Sequence, residues 1–249
     1  MHFGVILPNY GLSSTPDGIR RVADAAEELG FHSVWTTEHI IVGPEGVDPY
    51  GRVYDPLITL GWIAGWTERV GLGTSIVLVP LHHPIHLAKE VATLQELSGG
   101  RVTLGVGMGW HEDEYGFMGV PFARRGRRGD EALRVIRTLW EGEGNFDGEL
   151  WSFHGATSEP HPSPRPEIWV GGSSPAAIRR ARTLGDVWHP SRGSDASAVA
   201  RVKEEHPELR VIPRTAAANV DLMLGAGAEG AIVQFDDVEA MRAFAAAHL

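Results

Sequence analysis

Two hydrophobic rhythms alternate along the chain. Short apolar runs occupy residues 3–7, 33–35, 70–79, 102–106, 168–170, 186–188, 209–213 and 231–235. Runs of that length bounded by Gly, Pro and Asn read as buried strands. Between them lie longer stretches whose apolar residues recur at helical spacing, such as Ile19, Val22, Ala23, Ala26 and Leu29. The spacing predicts helices over 16–29, from 56 onward, over 84–97, from Arg124 or Arg127 to 140, and over 175–184, 196–205, 220–226 and 238–247. Pro16, Pro56, Pro84 and Pro175 stand where first helical turns accept proline, and Gly30 and Gly99-Gly100 stand where helices stop. A small hairpin is expected between Asn145 and Phe153, followed by a stiff Pro-rich loop.

Eight strand–helix units in series predict parallel strands with right-handed crossovers, and eight such units close into a barrel. The expected fold is α/β, a TIM-like (β/α)8 barrel, with residues 1–249 forming a single domain. An open doubly wound sheet is the other arrangement of these units. Its usual dinucleotide fingerprint is absent from the first turn, which reads LPNYGLSSTP.

In a barrel, chemistry gathers at the carboxyl ends of the strands. That rule brings together Asn9, Tyr10, Glu38, His39, Ser75, Ile76, Met108, Trp110, Gly171, Gly172, Ser173, Ser174, Trp188 and His189. The set is polar and aromatic and suits a planar cofactor beside an acid/base group. Gly171-Gly172-Ser173-Ser174 ahead of Pro175 is either a phosphate seat at a helix N-terminus or ordinary capping by Ser173 or Ser174. Gly105, Gly107 and Gly109 would let backbone form a floor under a flat ligand. His82, His83 and His86 lie in a loop and first turn without an interposed carboxylate, so solvated or capping roles are expected rather than a metal. The acids of HEDE at 111–114 are expected to serve the helix dipole.

Bulk composition narrows the partners. A net charge of -10 disfavours nucleic acid while leaving room for an anionic cofactor in a local basic pocket. The absence of cysteine excludes disulfides, thiolate nucleophiles and Cys-bound metal centres. No apolar run approaches the about 20 residues that span a bilayer. No leader is visible in MHFGVILPNY, so a cytoplasmic location without membrane association is expected.

The segments LPNYG, ELGFHSVWTTEHI, DPLITLGWIAGWTERVGLGTSIVLVP, HPIHLAKEVATLQELSGGRVTLGVGMGWHEDEY, GVPFARRGRR and EIWVGGSSPAAIRRARTLGDVWHP occur in this order. Together they resemble the bacterial luciferase-like family, and most closely its F420-dependent oxidoreductase subgroup. The resemblance runs to Pro190 and then fades, leaving the substrate side unread. It implies a TIM-like barrel that binds coenzyme F420 or, alternatively, FMN across the strand ends. It implies a non-proline cis peptide at Ser75-Ile76 pressed against the cofactor ring. It gives Glu38 and His39 catalytic roles, with His39 moving the proton. It makes Asn9, Ser75, Ile76, Met108, Trp110, Gly171, Gly172, Ser173, Ser174 and Trp188 cofactor-binding, with the phosphate on Gly172, Ser173 and Met108. Flavin-using members carry a basic residue where Met108 stands, and its absence favours F420 or a phosphate held mainly by backbone. The acidic tail of F420 would meet Arg124, Arg125, Arg127, Arg128 and Arg165, unless these solvate a helix face and pair with Asp130 and Glu131. The implied function is hydride transfer to or from a small organic substrate. The alternatives are a two-component FMN monooxygenase fed by a separate reductase and a catalytically silent flavin-binding barrel. A homodimer through the face of Ile58, Trp62 and Trp66 is also implied, although those residues could equally face the core.

Overall fold

The computed structural model describes residues 1–191 and 193–249. Its strands are parallel throughout the main sheet. The first, His2–Ile6, lies between the second, Ser33–Thr36, and the eighth, Gly230–Gln234. The third, Gly71–Thr74, joins the second to the fourth, Val102–Gly107. The fifth, Glu167–Gly171, and the sixth, Val187–His189, follow in order. Arg210–Val211 pairs with the sixth strand and Arg214–Ala216 with the eighth. These two pieces are one seventh strand. The Ile212 and Arg214 amides donate to Trp188 and Pro190, while Val211 and Pro213 carbonyls accept from Glu229 and Ile232. The sheet therefore closes on itself as the expected barrel.

Strand alternation sorts the side chains into two layers. Ile6, Trp35, Trp169, Val187, Ile212 and Ile232 fill the barrel interior as one buried cluster. Their neighbours, including Val5, Val34, Val170, Trp188, Val211 and Val233, belong to the larger layer beneath the helices. Burying side chains of this size contributes about 1.5–3 kcal/mol each. The helices start and stop where local chemistry directs. Thr15, Asp55, Ser174, Asp195 and Asp237 accept first-turn amides as N-caps. Gly30 ends the first helix, Pro16–Leu29, at φ 82°. The hairpin appears as Phe146–Asp147 paired antiparallel to Ser152–Phe153.

Two strands differ from the sequence reading. The run at 70–79 is not one strand: it stops at Thr74, turns at a cis Ser75-Ile76 peptide and resumes as Val77–Leu78 against the fourth strand. The seventh strand does not end at Pro213. Pro213 only interrupts the donor ladder, and the chain runs on to Ala216, carrying Arg214 to the barrel mouth.

Gly105 serves backbone packing rather than a ligand floor. A Cβ there would stand 1.7 Å from the Thr74 carbonyl oxygen. Two strands can approach at the turn only because that atom is missing. Gly105→Ala should therefore cost about 3 kcal/mol or more. Gly116, whose added Cβ would meet open space, is the control. Urea denaturation of Gly105→Ala and Gly116→Ala checks this, and equal midpoints would refute it.

Candidate active site

A cavity of about 400 Å³ opens at the carboxyl ends of the strands. That volume lies within the usual range of small-molecule sites, about 300–1,000 Å³. Its floor is the turn of the third strand. The Ser75 carbonyl accepts from the Thr37 hydroxyl at 3.3 Å and from the Arg214 guanidinium at 3.1 Å. Arg214 also donates to the Tyr10 hydroxyl at 2.8 Å. The Ile76 side chain lies where Gly107 and Gly171 lack a Cβ, so two neighbouring strands leave it room to face the cavity.

His189 fixes the other side of this turn. It is 2% exposed and stacks on Trp35 at 5.5 Å. Its Nδ1 is 2.6 Å from the Ile212 carbonyl, which can only accept, so Nδ1 carries the hydrogen. Nε2 is then an acceptor, and the Ser75 hydroxyl donates to it across 2.9 Å. Burial, the largest influence, lowers the His189 pKa from 6.5 to about 4. The Ile212 bond opposes this shift, and the charge on Arg214 adds to it. The ring is a neutral structural acceptor at physiological pH.

Glu38 and His82 form a second pair. The Glu38 carboxylate is buried, accepts from the Leu78 amide at 2.6 Å and lies 3.0 Å from His82 Nε2. Burial opposes charge on His82, but the hydrogen bond and attraction from Glu38 outweigh it and raise its pKa. The His82 side chain is thus committed to a buried acid rather than to solvent or to a helix end. Glu38 lines the cavity, yet both its oxygens are engaged: Oε2 holds the Leu78 amide of the strand that resumes after the turn, and both oxygens lie within hydrogen-bond distance of His82.

His39 also lines the cavity. Its Nδ1 is 2.9 Å from Oε2 of Glu114, and Tyr50 packs on its ring at 4.2 Å. Trp110, 57% exposed, meets the same ring edge-on at the mouth. Glu114 therefore departs from the sequence reading. Its side chain turns inward and is 1% exposed, while Glu112 and Asp113 remain exposed at the start of the Glu112–Phe117 helix.

At the far end the Gly171–Ser174 turn meets two arginines. Ser174 caps its helix through the Ala177 amide at 3.2 Å and also lines the cavity. Arg180 and Arg125 line the same wall. Arg180 is paired with Asp130, and Arg125 lies over the Phe122 ring at 3.7 Å. Two cations, the turn's backbone and a helix N-terminus thus line one part of the cavity wall. Met108 lines the wall, and its thioether lies against Gly129.

The cavity wall contains Glu38, His39, Ser75, Ile76, Met108, Trp110, Gly171, Gly172 and Ser174. Asn9 lies elsewhere, fully buried. Its amide donates to the Thr37 and Tyr54 carbonyls and its oxygen accepts from the Thr37 amide. Trp188 points outward under the helices, because alternation turns Val187 and His189 inward, and its indole N–H donates to the Gly172 carbonyl. Ser173 lies outside the wall, where its hydroxyl meets Ser191 and Ser194. Sequence reasoning missed Tyr50, Arg180 and Arg214 as wall residues. Continued alternation past Ile212 would have found Arg214. Arg180 sits nearly two turns beyond Ser174, on the inward side of its helix.

The arginine cluster divides. Arg125 joins the cavity, whereas Arg124, Arg127 and Arg128 line a neighbouring groove with Arg134, Asp130 and Glu149. Arg127 pairs with Glu149, and Arg128 donates to the Pro80 carbonyl. Glu131 accepts the Leu150 and Trp151 amides instead of an arginine. Arg165 is remote and bound to Asp186. Among the described residues no group of three His, Asp or Glu side chains could hold a metal ion.

The neutral His189 makes the fold sensitive to acid. Its folded pKa is depressed, so its contribution is complete above about pH 6.5 and is lost as pH falls through about 4. In His189→Gln an amide can bond both Ile212 and Ser75 without titrating. Wild type should lose about 1–3 kcal/mol more stability than this variant between neutral pH and pH ~4. Urea midpoints at the two pH values check this, and parallel losses would refute it.

The profile of the family described as luciferase-like monooxygenase matches residues 1–248. An F420-dependent glucose-6-phosphate dehydrogenase of Microbacterium testaceum is 34% identical over 194 residues, covering 75% of this chain and 56% of that protein. The oxygenase component of a flavin-dependent trigonelline monooxygenase of Acinetobacter baylyi is 33% identical over 163 residues, covering 64% and 44%. The chain thus spans about half the length of these curated relatives. An F420-dependent secondary alcohol dehydrogenase, solved with an F420–acetone adduct, superposes with a TM-score of 0.81 at 17% identity over 98% of this chain and 97% of that one. That likeness concerns the fold, while the sequence match extends almost end to end: the chain belongs to the luciferase-like monooxygenase family.

Proposed function

We propose that this protein is an F420-dependent oxidoreductase acting on a small organic substrate. The observation that carries the reading is a single cavity with the His39 imidazole at one end and the Gly171–Ser174 seat, flanked by Arg125 and Arg180, at the other. An acid/base group and an anion seat joined by a floor shaped by Ile76 suit a flat cofactor with a phosphate arm. Bound F420 supplies hydride chemistry at its ring carbon. The protein's part is to hold the phosphate on Gly172 and Ser174 with Arg125 and Arg180, to support the ring on Ser75-Ile76, and to exclude water with Tyr50 and Trp110. His39 gives or takes the proton at the substrate oxygen. Glu38 acts by fixing Leu78 and so the strand beneath the ring.

Arg125 and Arg180 supply the charge that Met108 lacks, so the seat suits the phosphate of either cofactor. The preference for F420 rests on the groove of Arg124, Arg127, Arg128 and Arg134 beside that seat, which suits an acidic tail. The second reading is the oxygenase of a two-component system that receives reduced FMN from a separate reductase. The Acinetobacter relative favours it. No described helix is long and apolar enough to cross a membrane. A cytoplasmic location remains part of the proposal.

Fluorescence titration separates the cofactors. F420 should bind below ~100 μM, about -5.5 kcal/mol, and more weakly at high salt. Arg124→Ala with Arg127→Ala should weaken F420 and leave FMN unchanged. Tighter binding of FMN would favour the oxygenase, and binding of neither would favour a silent barrel. In His39→Ala, turnover should fall ~10²-fold or more with cofactor affinity retained; unchanged turnover removes His39 from its role.

We also propose a homodimer. Ile58 is 76% and Trp62 43% exposed on the Pro56–Ala64 helix, so neither serves the core. Trp66 is held within the chain by Asp24 and Arg20. Sedimentation should give a dimer that Ile58→Asp with Trp62→Arg converts to a monomer; a monomeric wild type would end this proposal.

A further inference from the structure

We propose that Glu114 is the positioning residue for His39: its carboxylate fixes the tautomer and orientation that leave Nε2 for proton transfer. The inference rests on the acid/base role given to His39 above.

Glu114 and His39 are 75 residues apart and come from the segments after the fourth and second strands. Their side chains are 1% and 5% exposed. Oε2 of Glu114 lies 2.9 Å from Nδ1 of His39. Oε1 accepts from the Ile40 amide at 2.6 Å and more weakly from Ile41 at 3.4 Å. One carboxylate therefore clamps the imidazole and the backbone that follows it. An ionised carboxylate only accepts, so Nδ1 must carry a hydrogen. In the neutral ring the lone pair is then on Nε2. Rotation is opposed by Tyr50 on the ring and Trp110 at its edge, at 4.2 and 5.8 Å.

Helix capping does not explain this arrangement. Glu112 and Asp113 already place exposed acids at that helix start. Burying a third one is costly unless its oxygens are fully used, and here they are used on one histidine and its neighbours. When Nε2 takes a proton, the imidazolium faces the carboxylate and is stabilised by it. When Nε2 gives the proton up, the Nδ1–H tautomer remains, and no proton moves to Glu114.

The test uses the full chain with ¹⁵N-labelled histidine. Glu114→Gln keeps an acceptor for the Ile40 amide but offers His39 an N–H donor, which demands the opposite tautomer. In neutral, cofactor-free wild type the His39 Nε2 should be unprotonated, and in Glu114→Gln it should carry the hydrogen; His39→Gln identifies the signal. Turnover in Glu114→Gln should fall ~10²–10⁴-fold with cofactor affinity within about threefold, and Glu114→Asp should recover part of it. A wild-type ring protonated at Nε2, or an unaltered tautomer in Glu114→Gln, overturns the proposal, and neither result depends on turnover. A changed tautomer with full turnover also overturns it as a functional role and removes His39 from the acid/base reading. If His39→Ala alone keeps turnover, that reading fails, while the ¹⁵N spectra still decide whether Glu114 sets the ring.

Discussion

The inward turn of the third strand at Ser75-Ile76 is the feature on which the site depends. Everything around it makes room for it or holds it. Gly105 admits the Thr74 carbonyl, and Gly107 and Gly171 admit the Ile76 side chain. His189 takes the Ser75 hydroxyl, Thr37 and Arg214 take its carbonyl, and Glu38 receives the Leu78 amide where the strand resumes. Buried backbone that leaves a ladder must find other partners. Here the partners are side chains from the second, sixth and seventh strand ends, and they form much of the cavity wall as a result.

Three histidines show how partner and burial divide one residue type among different tasks. His189 has a carbonyl and a hydroxyl for company, is fully enclosed, and is held neutral. His82 faces the buried acid Glu38 and is pushed toward its charged form. His39 faces Glu114 while its ring lines the cavity. The same logic applies to positive charge. A protein of net charge -10 still places Arg125, Arg180 and Arg214 in one cavity wall, so the local field there differs from the overall charge.

The barrel was legible because it is written in local periodicity. Pro16, Asp55-Pro56 and Pro175 marked helix starts, Gly30 a helix end, and the alternation of strand and helix set the closed parallel sheet. The strand-end rule also brought His39, Ser75, Ile76 and the Gly171–Ser174 turn to one place. It went astray with Trp188 because position near a strand end does not say which way a side chain faces. Val187 and His189 point into the barrel, and their neighbour must point out.

Sequence by itself thus determined most of the elements, their order, the closed sheet and the small residues at the strand ends, but not the break in the third strand or the reach of the seventh. It could not determine which side chains meet. Glu114 reads locally as a helix-start acid, His82 as a loop histidine and Arg180 as one more arginine on a helix. Their partners His39, Glu38 and Asp130 stand 75, 44 and 50 residues away. Local pattern reports the periodicity of one element, whereas the partner of an inward-turned polar side chain is chosen by how two elements pack. Only the closed barrel brings these segments within hydrogen-bond distance, so only the tertiary structure decided which acids were capping residues and which belonged to the site.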